Sequence, residues 1–245
     1  MDRLVMAAQS HGKLANSTMA AQAAAMPSLP FDVVAFDLDG TLADTSPDLA
    51  NALNHTLRAL RRPEIPVAEV RKLIGHGVRA LLRKGLAATG DAPEQLVETG
   101  YPIFLEHYRA HIADGTRIYS GVDDALDSLA AARVRLALCT NKIEALTFAL
   151  LDALGWKNRF HAVVGGDTLA VAKPDPLPLQ QAIARAGGGR AAYVGDSITD
   201  ANTARAAGIP FLALSFGFSD RPVGQLGAQA VIHDYRELVR VLRSL

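Results

Sequence analysis

Two pairs of aspartates stand where short apolar runs end. One is Asp37-Leu38-Asp39-Gly40-Thr41; the other closes the stretch Gly195-Asp196-Ser197-Ile198-Thr199-Asp200. Side chains at i and i+2 of an extended segment point the same way, so Asp37 and Asp39 can face one site. Like charges gathered in a buried place raise one another's pKa and destabilise the fold unless something compensates. A hard divalent cation is the simplest compensation, and magnesium suits few carboxylates, waters and a substrate phosphate. Gly40 lets the chain turn sharply after the pair. Read alone, Asp37 and Asp39 could merely end a strand and begin a turn. Asp200 could likewise be the N-cap of the helix that follows. A calcium loop fits worse, because the further ligands and terminal glutamate of that loop are missing.

Two more polar sites fall at similar places. Thr140-Asn141 closes another apolar run, where a hydroxyl and backbone N–H groups at a helix start can hold a phosphate. Lys173 precedes Pro174-Asp175-Pro176, a rigid turn that fixes its position. A lone lysine or threonine is more often surface or cap. Four polar sites at successive strand ends are harder to dismiss.

The elements that must position them are legible. Segments 31–37, 134–140, 162–164, 191–196, 211–216 and 230–232 read as strands, several apolar without alternation, as in strands covered on both faces. Segments 144–154, 177–186 and 200–207 read as helices ending near Gly155, Gly187 and Gly208. Strand alternating with helix implies an α/β fold: a doubly wound, Rossmann-like parallel sheet. Adjacent first and fourth strands would bring Asp196 close to Asp37. Between Asp44 and Ile118 the pattern is helical only, over 48–60, 67–88 and 93–113. The expected organisation is a core of residues 30–44 and 115–245, with a helical cap over 45–114. Residues 1–29, rich in Ala, Met, Gln and Ser, are expected to be a non-native or flexible extension, with Met26 an alternative start. Gln9, Ser10, His11 and Lys13 break any signal-peptide core.

The series DLDGT, LCTN, AKPDP and VGDSITD, in that order, resembles the haloacid dehalogenase superfamily from about residue 31 to the C-terminus. The resemblance implies Asp37 as nucleophile, forming an aspartyl-phosphate, and Asp39 as the acid and base that serves the leaving alkoxide and then water. It implies Mg²⁺ held by the carboxylates of Asp37 and Asp196 and the backbone carbonyl of Asp39, with Asp200 supporting that shell. Thr140, Asn141 and Lys173 would bind the non-bridging phosphoryl oxygens. Dehalogenases of this superfamily lack the second aspartate, so Asp39 argues for phosphate chemistry. Within the superfamily the chain is similar to bacterial phosphoglycolate phosphatases. The stretches that carry this are 74–82, 119–122, 164–168 and 214–218. That likeness implies substrate contacts from the cap, with His76 or Arg79 meeting the substrate carboxylate; either could instead be an ordinary surface residue. Departures from the family pattern are His76 for asparagine, and Ser120 and Ile143 for proline.

Composition sets the outer bounds. The 245 residues carry 25 acids and 25 bases, so no global field favours nucleic acid or an anionic membrane. A single cysteine, Cys139, excludes an internal disulfide and fits a reducing compartment. No apolar run approaches the roughly 20 residues of a spanning helix. Composition thus points to the cytoplasm, with neither nucleic acid nor membrane as partner, and the resemblance implies an enzyme, monomer or homodimer, acting on a small phosphorylated metabolite. A phosphosugar mutase, a phosphatase for another sugar phosphate or pyrophosphate, and a non-catalytic binding protein are the other readings; fold alone guarantees no chemistry.

Overall fold

The structure, a computed structural model, describes residues 29–219 and 221–245. The extension foreseen for residues 1–29 therefore lies outside the described residues, apart from Leu29. Chain order begins with β1 (Val33–Phe36), β2 (Ala43–Asp44) and four helices: α1 (Ser46–Ala59), α2 (Val67–Arg71), α3 (Val78–Ala88) and α4 (Glu94–Ala110). After β3 (Arg117–Ile118) come α5 (Val122–Ala131), β4 (Arg135–Cys139), α6 (Glu144–Ala153), β5 (Ala162–Val164) and α7 (Leu177–Arg185). The chain closes with β6 (Ala191–Gly195), α8 (Ile198–Ala207), β7 (Phe211–Leu214), β8 (Ala230–Ile232) and α9 (Leu238–Arg243).

The main sheet has six strands in the order β5-β4-β1-β6-β7-β8, every pair parallel. Its central strands are buried throughout, which is why they read as continuous apolar runs. Alternate residues go to opposite faces. Val34, Phe36, Leu136, Leu138 and Val194 pack with Val122, Leu126 and Leu238 of α5 and α9. Val33, Ala35, Ala137, Cys139 and Tyr193 pack with Leu179, Ala182 and Ala204 of α7 and α8. Strand order reverses at β1, which pairs with β4 on one side and β6 on the other. The crevice at that reversal, beyond the carboxyl ends of the strands, is where open α/β sheets place ligands.

Helices α1–α4 bury a separate apolar cluster, including Leu53, Leu57, Leu82, Leu86, Val97 and Phe104. Leu146 of α6 and Phe218 join it, so this layer sits directly on the crevice edge. The helix expected over 67–88 is in fact two. It stops at Arg71 and restarts at Val78, and Gly75 and Gly77 between them have φ of 113° and 82°, which a side chain would strain. A further difference is the β2–β3 pair, an antiparallel ladder of two residues a side that joins the two ends of the helical layer. Among the described residues no helix is long and apolar enough to cross a membrane.

Candidate active site

Asp37 follows the last residue of β1, and its N–H donates to the Val194 carbonyl of β6 at 3.0 Å. Register therefore places the tip of β1 beside the tip of β6. Phe36 pairs with both Leu138 and Val194, so Asp37, Cys139-Thr140 and Gly195-Asp196 lie abreast. Carboxylate oxygens of Asp37, Asp196 and Asp200 gather within 4.8 Å of one another, all three residues buried. Lys173 Nζ stands 3.1 Å from Asp37 Oδ1 and 2.6 Å from Asp200 Oδ1. Four sites separated in sequence thus converge on one point.

Each carboxylate has its own support. Asp196 accepts from the Thr41 hydroxyl at 2.7 Å and from the Phe218 N–H at 2.5 Å. Asp200 accepts from Lys173, from the Tyr193 hydroxyl at 2.8 Å and from the Ser197 hydroxyl at 2.5 Å. Ser197, not Asp200, caps α8; Asp200 sits in the first turn, and its side chain reaches back to the Ser197 N–H in a reciprocal capping box. The helix starts earlier than the segment 200–207 because that box satisfies its first N–H groups. Asp39 accepts from the Thr45 hydroxyl at 2.7 Å and faces Lys142 Nζ at 3.0 Å. Close packing of these groups needs glycine. A Cβ on Gly217 would stand 2.1 Å from the Asp196 Cβ, and one on Gly40 would stand 2.5 Å from an Asp196 oxygen.

Burial pushes the Asp37 carboxyl up to about 6, although Lys173 pulls it the other way. Asp196 is pushed up to about 8 by burial and by the negative charges of Asp200 and Asp37. Burial acts on Asp200 in the same sense, but Lys173 and the hydroxyls of Ser197 and Tyr193 hold it below the usual carboxylate range. Both buried ammoniums remain firmly charged. Burial opposes them, yet Asp200 and Asp37 outweigh it at Lys173, and Asp39 and Tyr108 do so at Lys142.

This donor set fits a hard divalent cation. Asp37 Oδ1 is buried and makes no hydrogen bond, and Lys173 pairs with only two of the three gathered carboxylates, Asp37 and Asp200. An added cation bound by oxygen would satisfy that oxygen and remove the repulsion that raises Asp37 and Asp196.

A cavity opens over these groups. Its floor is Asp37, Asp39, Thr140, Asn141 and Lys142; its walls are Leu49, Ile74, Gly75, Gly77, Val78 and Leu81 from the helical layer. The Asn141 side chain is already engaged. Its amide donates to the Lys173 carbonyl at 3.1 Å and to the Gly75 carbonyl at 3.3 Å, and its Oδ1 accepts from the Lys173 N–H at 3.0 Å. His76 and Arg79 line an adjoining outer groove with Asn141 and Lys173, rather than this cavity. Arg79 there bonds Glu98 at 2.7 Å and 3.1 Å and lies 3.8 Å from the centre of the Tyr101 ring.

Sequence reading missed the groups that hold the aspartates, Thr41, Thr45, Lys142, Tyr193 and Ser197, and Tyr108, which holds Lys142. Lys142 had a signal, since it directly follows Thr140-Asn141 on the same strand-end loop. Tyr108 and Tyr193 had none, because their spacing is that of core residues and only their hydroxyls reach the site.

Residues 34–214 match the model of the haloacid dehalogenase-like hydrolases. The chain belongs to that family. It is 43% identical over 216 residues to a phosphoglycolate phosphatase of Caulobacter vibrioides, covering 86% of this chain and 91% of that protein. To a phosphoglycolate phosphatase of Mesorhizobium japonicum it is 43% identical over 211 residues, 84% of this chain and 92% of the other. Among solved structures, a predicted phosphoglycolate phosphatase from Haemophilus somnus superposes with a TM-score of 0.81 at 27% identity, covering 86% of this chain and 97% of that one. The six-stranded parallel sheet with flanking helices is thus the hydrolase fold of this family, as the ordered motifs led one to expect.

Proposed function

We propose that this hydrolase is a magnesium-dependent phosphatase converting 2-phosphoglycolate to glycolate and phosphate through an aspartyl-phosphate on Asp37. The observation that carries the reading is the convergence of Asp37, Asp196, Asp200 and Lys173 at the tips of β1 and β6. Similarity to the Caulobacter and Mesorhizobium phosphoglycolate phosphatases supports the substrate.

The groups share the work as follows. A carboxylate and a phosphate ester repel, so the nucleophile needs positive charge beside it; Lys173, 3.1 Å away, supplies one part. The carboxylates of Asp37 and Asp196 and the backbone carbonyl of Asp39 would hold Mg²⁺, with Asp200 in support. When bound, the ion neutralises phosphoryl charge and aligns the phosphate. Asp37 attacks phosphorus in line, and the bond to the leaving oxygen breaks as Asp39 gives that oxygen its proton. Asp39, now ionised, takes a proton from water, which attacks the same phosphorus and releases phosphate and free Asp37. Thr140, Lys173 and the backbone of Asn141 would hold the non-bridging oxygens; the Asn141 side chain instead fixes Lys173 and the Gly75 loop. The helical layer from 45 to 114 acts as a cap on a core of residues 30–44 and 115–245, keeping bulk water from the intermediate.

The test is phosphate release from purified protein with Mg²⁺, over a panel of small phosphate esters ranked by kcat/KM. The expected leader is 2-phosphoglycolate. A sugar phosphate ranked first would overturn the substrate, and no release from any ester would overturn the phosphatase reading. Isomerised hexose phosphate in place of free phosphate would point to a mutase.

A further inference from the structure

Lys142 has no part in the chemistry just described, yet it is a buried charge on the cavity floor. Its side chain is 3% exposed, its Nζ lies 3.0 Å from Asp39 Oδ1, and it donates to the Tyr108 hydroxyl at 2.8 Å. Burying an ammonium is costly unless it is paired and hydrogen-bonded. Here a tyrosine from α4 and an aspartate from the strand tip hold it in place, and its Nζ also stands 4.6 Å from the Tyr108 ring centre. An ammonium carries three N–H groups, so Asp39 and Tyr108 leave one to give. Among the described residues that line the cavity, Lys142 is the one cation, and the walls above it are Leu49, Ile74, Val78 and Leu81.

We infer that Lys142 is the specificity residue for the leaving group, and that it selects esters whose leaving alkoxide carries a carboxylate close to the ester oxygen. This rests on the phosphatase reading, since it uses the position that reading assigns to Asp39. The group that protonates the leaving oxygen must touch that oxygen. In 2-phosphoglycolate only two carbon atoms lie between that oxygen and the carboxylate oxygens. An ammonium bonded to Asp39 is therefore within reach of the carboxylate, and no other side chain that lines the cavity is positively charged. A neutral leaving group of the same size would leave that N–H without an anion and gain none of this attraction. A bulky leaving group would collide with the Val78 and Leu81 wall. Arg79, the other candidate, is engaged by Glu98 and Tyr101 in the outer groove.

The experiment compares kcat/KM for 2-phosphoglycolate and for 2-hydroxyethyl phosphate, whose leaving group lacks the carboxylate, in wild type, Lys142→Met and Lys142→Arg. Wild type is expected to prefer the carboxylate ester by roughly 10–100-fold, the range a charge-assisted hydrogen bond contributes. In Lys142→Met that ratio should fall to near unity, mostly through the KM for 2-phosphoglycolate, while Lys142→Arg restores part of it. Equal losses on both esters would make Lys142 a support for Asp39 alone and overturn the inference. If Lys142→Met does not fold, wild type still decides: turnover of both esters within about threefold of each other overturns it. Wild type inactive on both would instead remove the phosphoglycolate reading beneath it.

Discussion

At the carboxyl edge of the sheet, Asp37, Lys142, Lys173, Asp196 and Asp200 are all buried, and hydroxyls or backbone N–H groups bind most of their polar atoms. In the helical layer above, charge is handled the other way. Arg79 pairs with Glu98 and Arg83 with Glu94, with side chains about half exposed, while the face turned to the cavity is apolar. The floor concentrates charge where solvent cannot screen it, which strengthens every interaction with a phosphoryl group and costs stability. The roof spends its charges on the surface, where they contribute little, and offers the cavity shape and dryness. Under the proposed function the two regions would divide the work accordingly, reaction below and exclusion above; Lys142 of the floor is joined to Tyr108 of the roof.

The largest effects should come from the floor. Asp37→Asn is expected to lower kcat on 2-phosphoglycolate by at least about 10³-fold with little change in thermal stability, measured by phosphate release and calorimetry. A rate within tenfold of wild type would remove Asp37 as nucleophile. Asp39→Asn should cost about 10²–10⁴-fold on the same ester. With p-nitrophenyl phosphate, whose leaving group needs no proton, its first step should survive. Rapid mixing should then show a burst of nitrophenolate followed by slow turnover. Absence of that burst, with the first step slowed as much as for 2-phosphoglycolate, would take Asp39 out of leaving-group protonation.

That floor was largely legible in the amino-acid sequence, and the reason is geometric. Parallel strands covered on both faces are unbroken apolar runs, and polar residues at their ends stand out. Adjacency of β1 and β6 then brings Asp196 to Asp37. What escaped were tertiary events. Tyr108 sits among core spacings on α4, and only packing reveals that its hydroxyl meets Lys142. Ser197 rather than Asp200 caps α8, because a serine three residues before an acidic residue completes a reciprocal pair that Asp200 alone cannot. The roof was legible in kind but not in detail. Periodicity carried the segment 67–88 as one helix, whereas Gly75 and Gly77 open it into the loop that meets Asn141.

The contrast in buried charge also predicts opposite pH behaviour in metal-free protein. Asp37 at about 6 and Asp196 at about 8 keep their protons longer when folded than in the unfolded chain, where aspartate titrates near 3.9. The folded state then binds more protons between about pH 4 and 8, so stability should fall as pH rises through that window. His107, in a stack with His55 and His111, works in the other sense. Burial, then the neighbouring His55 and His111, lower its pKa, so its contribution is lost as pH falls below about 6.5. The expected result is a Tm of chelator-treated protein that declines from pH 6.5 to 8.5 and is restored by Mg²⁺ more at 8.5 than at 6.5. His107→Gln should flatten the acid side alone. A Tm that rises from 6.5 to 8.5 without metal would mean the floor is not under the repulsion described.

The smallest expected effect is at Arg79, and it bears hardest on where recognition lies. To reach a ligand in the cavity, Arg79 must give up two hydrogen bonds to Glu98 and its seat over Tyr101. Lys142 is in place already, held by Asp39 and Tyr108, and loses no mobility on meeting a carboxylate. Arg79→Ala should therefore change kcat/KM by less than about threefold, equally for 2-phosphoglycolate and 2-hydroxyethyl phosphate. A tenfold rise in KM confined to the carboxylate ester would move recognition from floor to roof. It would mean that substrate draws Arg79 off Glu98 as the helical layer closes, and the division of labour between the two regions would no longer hold.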